Sequence, residues 1–359
     1  MTLRQTPLID QHIAMGASTA DFGGWDMPIE YEGTLSEHKA VREAVAMFDV
    51  SHMGTTLIFG PGALDALNGV LTNDLEHITD GQAQYTLLCD AHGGVVDDLI
   101  AYRINDANIM LIPNAANSDA VVASVSAALT PQGITVMDAR DDHGIIAVQG
   151  PESSQALAAI GLDQPENYMS FIRSTWRELP VMVCRTGYTG ERGFEIVAPN
   201  AALVPLWREL AAQGVIPAGL GARDTLRTEM GYPLHGNELG ADITPVQAGL
   251  AWAVGWQKQD FNGAEVLRQE RETGPTRRLR GLIAAGRGIP RPGMSILDAS
   301  GQLIGIVTSG TYSPTLARGI GLGFLPPDTP DQTEVFVDVR GRLISFTVCK
   351  PPFVDSHVR

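Results

Sequence analysis

Two adjacent carboxylates, Asp97 and Asp98, sit inside an otherwise apolar run, Gly93-Gly94-Val95-Val96-Asp97-Asp98-Leu99-Ile100-Ala101-Tyr102. Extended backbone alternates its side chains, so Asp97 shares a face with Val95, Leu99 and Ala101, and Asp98 shares one with Val96, Ile100 and Tyr102. Both faces are apolar, which predicts a strand covered on both sides. A carboxylate in such a place needs hydrogen bonds, a cation or a ligand. Periodicity does not choose between the two acids. A third acid, Glu195, lies between Phe194 and Ile196, just after the glycine-rich stretch Arg185-Thr186-Gly187-Tyr188-Thr189-Gly190-Glu191. Arg223 and Arg227 stand at i,i+4 spacing on one helix face, as an anion clamp or as a network with Asp224 and Glu229. Carboxylates in apolar settings, glycine turns and arginines together suit a polar heterocycle with an acidic tail. A carboxylate pairs with an amino-pyrimidine edge, and arginines pair with glutamates.

Other chemistries lack their residues. The chain has no Gly-x-Gly-x-x-Gly, no Gly-x4-Gly-Lys-Ser/Thr phosphate loop and no Gly-x-Ser-x-Gly elbow. Its eight histidines have no metal-ligand spacing, so no metal is expected, and His52 and His92 read as structural. A formal net charge of −16 over 359 residues argues against nucleic acid or an anionic membrane as partner. One basic island interrupts it: Arg277, Arg278, Arg280, Arg287 and Arg291 fall in a stretch without acids between Glu272 and Asp298. That stretch is a candidate contact for an anionic ligand or acidic partner, or a solvated face. Cys89, Cys184 and Cys349 are widely separated in apolar runs and read as buried free thiols of a reducing compartment. With no apolar leader and no apolar run of 18 residues, a cytoplasmic location is expected.

The elements that must position these groups follow from punctuation and period. Gln84–Asp90 and the run after Gly94 read as a hairpin reversed by Ala91–Gly94. Asp21–Pro28 reads as a loop with aromatic anchors. Thr34-Leu35-Ser36-Glu37 has the capping-box pattern, and a helix with Val41, Val45 and Phe48 on one face is expected to run on to near Asp49. Further helices are expected near Leu64–Leu71, Ser118–Leu129, Ala156–Ile160, Ala202–Gln213, Gly221–Glu229 and Asn262–Glu272. Thr273-Gly274-Pro275 marks a domain boundary, and the short strands beyond it predict a small all-β domain.

Six ordered blocks then carry a resemblance. Phe22–Pro28 (FGGWDMP), Phe48–Gly54 (FDVSHMG), Gly93–Leu99 (GGVVDDL), Arg185–Glu191 (RTGYTGE), Gly219–Asp224 (GLGARD) and Thr308–Leu316 (TSGTYSPTL), with a Lys350-Pro351-Pro352-Phe353 ending, closely resemble the aminomethyltransferase (T-protein) family of the glycine cleavage system. The resemblance spans essentially the whole chain. It implies an α+β protein of three domains in a clover-leaf, with mostly antiparallel sheets and a C-terminal barrel-like domain. The segments would be 1–50 with 137–250 as a discontinuous folate-binding domain, 51–136 carrying the paired acids with 251–275 as connector, and 276–359.

The same resemblance implies an activity. The family takes the aminomethyl group from the lipoyl arm of the H-protein, releases ammonia and passes the carbon to tetrahydrofolate, giving 5,10-methylenetetrahydrofolate. Carried onto this sequence, Asp98 would be the catalytic carboxylate, acting mainly by electrostatics and positioning on an iminium-like charge. Glu195 would hold the pterin edge. Met53, Tyr85, Tyr188 and Trp252 would line or stack on the folate, and Arg227 would help position the site. Asp97 would be a buried acid bonded to its own scaffold. The nearest alternative is a folate-dependent demethylase of a sulfonium or methylamine compound. Non-catalytic folate-binding relatives carry a Lys-Gly-Cys-Tyr/Phe-x-Gly-Gln-Glu signature that is missing from this chain.

Overall fold

The structure, a computed structural model, describes residues 2–359. Two antiparallel-rich sheets and a barrel account for most of the chain. The first sheet has the order Gln82–Cys89, Val95–Asn105, Asn108–Ile112, Thr56–Phe59, Thr135–Asp138. The second has the order Phe171–Trp176, Leu179–Cys184, Gly193–Pro199, His143–Gln149, Ala46–Asp49, Ile216–Pro217. Beyond the helix Ala264–Thr273, six strands from Arg278–Ala284 to Leu343–Cys349 close into a barrel around Leu282, Ile296, Val337 and Phe346. The mixed helix and strand class and the C-terminal barrel are as expected.

The sheets are arranged by what each face can bury. In the first sheet, Leu99, Ala101 and Leu111 pack under the helices Ala63–Asn68 and Ser118–Leu129 through Leu64, Leu67, Val121 and Val125. Its other face, with Ala83, Tyr102, Met110 and Ile112, meets Ala46, Phe48, Ile145, Ala147 and Cys184 of the second sheet. The second sheet's far face packs on the helices Ser153–Ala159 and Asn200–Ala212. Both sheets are therefore apolar on both sides. Burial at about 25 cal/mol per Å² of apolar surface makes this sheet-to-sheet contact the natural place for a shared core.

Three local expectations change. The helix begun at Thr34 ends at Glu43 instead of near Asp49, and Ala46–Asp49 is a strand paired with Ile146–Gln149. Met47 and Phe48 face opposite cores, so the apparent helical spacing of Val41, Val45 and Phe48 spans a helix end and a doubly buried strand. The capping box also differs. Gly33 is the N-cap, Thr34 Oγ1 donates to Glu30, and Glu37 Oε1 accepts from the N–H groups of Tyr31, Glu32 and Gly33 while Oε2 accepts from Gly219. Asp21–Pro28 is a hairpin of Ser18–Phe22 and Trp25–Glu30, with Trp25 and Met27 turned inward. Cys89 and Cys184 are buried and free; Cys349 is free and half-buried.

Candidate active site

A cavity of about 1320 Å³ opens between the two sheets, the helix Leu220–Glu229 and the rim of the barrel. Asp98 lies on its wall. The strand Val95–Asn105 pairs Asp97 with Leu88 and Asp98 with Leu87, and alternation turns Asp97 toward the two helices and Asp98 into the cavity beside Ile100 and Tyr102. Val96, expected on the Asp98 face, instead packs with the helix-side core, because the ladder bulges between Leu88 and Cys89 and leaves Val96 opposite no partner. The hairpin turn is held by Asp90 Oδ1, which accepts from His92 N at 2.8 Å and Gly94 N at 3.0 Å. A Cβ on Gly94 would lie 2.0 Å from the Ala241 carbonyl oxygen, so only glycine lets that segment cross here. His92 is exposed on the turn, away from the cavity.

The paired acids have unequal surroundings. Asp97 is fully buried and accepts from Asn114 N at 3.0 Å, Asn114 Nδ2 at 2.9 Å and Asn117 Nδ2 at 2.7 Å. Asp98 is half-buried, and the space it meets is that of the cavity. It accepts from the Tyr85 hydroxyl at 2.9 Å and from Asn114 Nδ2 at 2.9 Å. Burial pushes both carboxyls above the usual range, and the Asp98 charge adds to the rise at Asp97. At Asp98 the Tyr85 hydroxyl, the positive form of His235 and the Asn114 amide act in the opposite sense. A carboxyl so placed can hold and return a proton or face a developing positive charge.

The other anticipated residues gather on the same cavity. Tyr85 stacks on Trp252 with ring centroids 5.4 Å apart and 27° between planes, and Trp252 is 65% exposed at the rim. Met53 lines the wall just beyond the strand Ala46–Asp49. Glu195, opposite Ala147 and Cys184, receives the Thr186 hydroxyl on Oε2 at 2.5 Å, and among the described residues its Oε1 has no partner. The Tyr188 hydroxyl donates to the Pro233 carbonyl. Gly187 borders the cavity, but its lack of a side chain accommodates the buried Gln149, whose Oε1 a Cβ would approach to 2.1 Å.

The helical arginine pair divides. Arg227 donates to Asp224 at 2.8 Å, Glu238 at 3.1 Å, the Tyr232 carbonyl at 3.2 Å and Ser309 at 2.7 Å, so its donors are taken up in joining helix, turn and barrel. Arg223 stands over the Tyr188 ring at 4.9 Å, and among the described residues its buried Nη1 has no partner. Burial pulls its pKa down, against the pull of the Glu195 charge. His52 also lines the cavity, and burial pushes it down to about 4, so it is neutral there. Of the basic island, Arg278 and Arg280 reach the cavity rim beside Lys350 and Arg359. Arg277 is engaged by Gln247 and the Asp242 carbonyl, Arg291 by the Gly310 carbonyl, and Arg287 is exposed.

Comparison with known proteins now adds the family. Residues 8–258 match the GCVT N-terminal domain and residues 277–355 the glycine cleavage T-protein C-terminal barrel domain. The chain is similar to aminomethyltransferases of Parafrankia sp. (53% identity, 99% of each chain) and Mycobacterium tuberculosis (51% identity, 98% of this chain and 97% of the other). Its structure superposes on the glycine cleavage system aminomethyltransferase T of Bartonella henselae with a TM-score of 0.94, at 34% identity over 99% of each chain. The chain belongs to the glycine cleavage T-protein family.

Within this T-protein chain, sequence reasoning missed Asn114, Tyr168 and His235, all of which line the cavity. Asn114 carried one usable signal: it is the first polar residue after the apolar strand Asn108–Ile112, which pairs with the Asp98 strand. Tyr168 and His235 lie in irregular segments whose place depends on tertiary packing. Among the described residues there is no cluster of His, Cys, Asp or Glu fit to hold a metal, and no helix long and apolar enough to cross a membrane.

Proposed function

We propose that this protein is the aminomethyltransferase of the glycine cleavage system, moving the one-carbon unit of aminomethyl-dihydrolipoyl H-protein to tetrahydrofolate with release of ammonia. The observation that carries the reading is Asp98, half-buried on the wall of a cavity of about 1320 Å³ and held by Tyr85 and Asn114. Two other groups fit a folate. Glu195 offers a free oxygen to an amino-pyrimidine edge, and Arg223 has a buried, unpartnered nitrogen ready for an acceptor. Met53, Tyr85, Tyr188 and Trp252 supply apolar and aromatic contact, and Arg278 and Arg280 supply cations at the rim for an acidic tail.

Tetrahydrofolate, when bound, supplies the two nitrogens that accept the carbon. Asp98 then acts in two ways. Its charge opposes the positive charge that develops on carbon as the amine departs, and in a site with little water this is worth more than in bulk. Its raised pKa also lets it hold and return a proton. Tyr85 and Asn114 fix its rotamer, so little reorganisation is left for the reaction. No metal is assigned a part. In this reading the protein is cytoplasmic, where its folate and H-protein partners would be met.

The test is formation of 5,10-methylenetetrahydrofolate and ammonia from aminomethyl-lipoylated H-protein. The reading expects product that depends on both H-protein and tetrahydrofolate. Folate methylation by a sulfonium or methylamine donor without H-protein would overturn it in favour of a demethylase.

A further inference from the structure

The segment Tyr232–Ile243 crosses the turn end of the hairpin that carries Asp98, and both backbone groups of Val95 bond to it. Val95 N donates to the Gly240 and Ile243 carbonyls at 3.0 and 3.1 Å, and the Val95 carbonyl accepts from His235 Nε2 at 3.2 Å. A carbonyl can only accept, so Nε2 carries the hydrogen and the neutral ring keeps its lone pair on Nδ1. Among the described residues Nδ1 has no hydrogen-bond partner, and His235 lines the cavity with Asp98. The two are close enough that a positive His235 would favour the Asp98 anion. The turn beneath is pinned by Oε2 of the fully buried Glu238 carboxylate, which accepts from Leu234 N at 3.1 Å and from Arg227 Nη1 at 3.1 Å. Arg227 thus acts on the cavity through Glu238 and the placement of His235.

We propose that His235 is a second proton-carrying group of this site, with Nδ1 as the acceptor. The inference rests on the transferase reading and its proton balance. Two C–N bonds form to the folate nitrogens as the carbon's bonds to the amine nitrogen and to sulfur break, and each folate nitrogen loses one proton. One proton completes ammonia and the other completes the lipoyl thiol, with no net oxidation. A single carboxyl holds one proton at a time, and the pair of Asp98 and His235 can hold both. Besides these two, the titratable side chains lining the same cavity include His52, Tyr85, Tyr188, Glu195, Arg223 and Arg227. The glutamate and arginines have ionic or ligand-binding roles, burial raises the pKa of Tyr85 and Tyr188, and burial pushes His52 down to about 4, which leaves the His235 imidazole as the second base.

His235→Gln keeps an N–H for the Val95 carbonyl and removes the base. It is expected to lower kcat about 10²-fold with little change in KM for tetrahydrofolate, and added imidazole should restore activity to His235→Gly. Independently of turnover, nitrogen NMR of the unliganded protein should show the Nε2–H tautomer, with the Nδ1 resonance moving when tetrahydrofolate is added. Unchanged kcat in His235→Gln while the unaltered protein forms methylenetetrahydrofolate would overturn the proposal. So would an Nδ1–H tautomer. No product from the unaltered protein would overturn the transferase reading, and this inference with it.

Discussion

Tyr85 donates its hydroxyl hydrogen to Asp98 Oδ2 at 2.9 Å while its ring stacks on the exposed indole of Trp252. One side chain therefore links the half-buried carboxyl to the rim of the cavity. The hydrogen bond favours the Asp98 anion and works against burial, which favours the neutral acid. Tyr85→Phe keeps the ring and removes the donor, so the Asp98 pKa should rise. A rate that needs the anion falls as pH falls through that pKa, and the acid limb of the kcat/KM profile should move to higher pH. An unmoved limb would show that Asp98 does not control it.

Asp98→Asn preserves shape and removes both charge and proton transfer. Loss of a preorganised electrostatic group costs about 10²-fold or more in rate. Tetrahydrofolate affinity, measured by fluorescence titration, should stay close to that of the unaltered protein, since Glu195, Arg223 and the aromatic wall remain. Near-normal turnover would remove Asp98 from the mechanism.

Arg223 carries a buried nitrogen with no partner among the described residues, an arrangement that costs stability unless a ligand completes it. Arg223→Met should weaken tetrahydrofolate binding by about 10-fold or more, the scale of one hydrogen bond to a charged group. The melting temperature of the unliganded protein should not fall. A large fall with unchanged affinity would make Arg223 a scaffold residue.

Beneath the second sheet, Asp49 accepts from Thr6 at 2.6 Å, from Ser51 N at 2.9 Å and pairs with His12 at 2.8 Å, all of it buried. Burial alone would raise the Asp49 pKa, but His12, Ser51 and Thr6 outweigh it and hold the carboxyl below its usual range. A depressed carboxyl pKa contributes stability above the unfolded value of about 3.9, and that contribution disappears as pH falls through the folded value. Asp49→Asn should cost about 3 kcal/mol at neutral pH and flatten the loss of stability in acid, as read by denaturant melts at several pH values. A variant as stable as the parent would show that His12 and its neighbours need no anion.

Much of the architecture could be read from the chain alone. The Ser118–Leu129 helix, the hairpin before and after Gly94, and the β-rich region after Pro275 follow from local period and turn residues, because those preferences act over a few residues. Ala46–Asp49 was not legible in this way. A strand buried on both faces has no polar alternation, and Met47 and Phe48 mimic the end of an amphipathic helix until each is seen to enter a different core.

The same division runs through the cavity. Alternation along Val95–Asn105 determined that Asp97 and Asp98 point opposite ways, and i,i+4 spacing determined that Arg223 and Arg227 share a helix face. Local pattern did not say which member of each pair is available to a ligand; the family resemblance pointed to Asp98 and Arg227, and the tertiary structure turns Asp98 to the cavity and leaves the open nitrogen on Arg223. The helices Ala63–Asn68 and Ser118–Leu129 cover the Asp97 side, and Asn114 and Asn117 satisfy it. Asp224, Glu238 and Ser309 engage Arg227 and leave Arg223 with a free nitrogen. These partners come from up to 82 residues away in the chain, so no local pattern records them, and the availability of a polar group is set by the partners that folding brings to it.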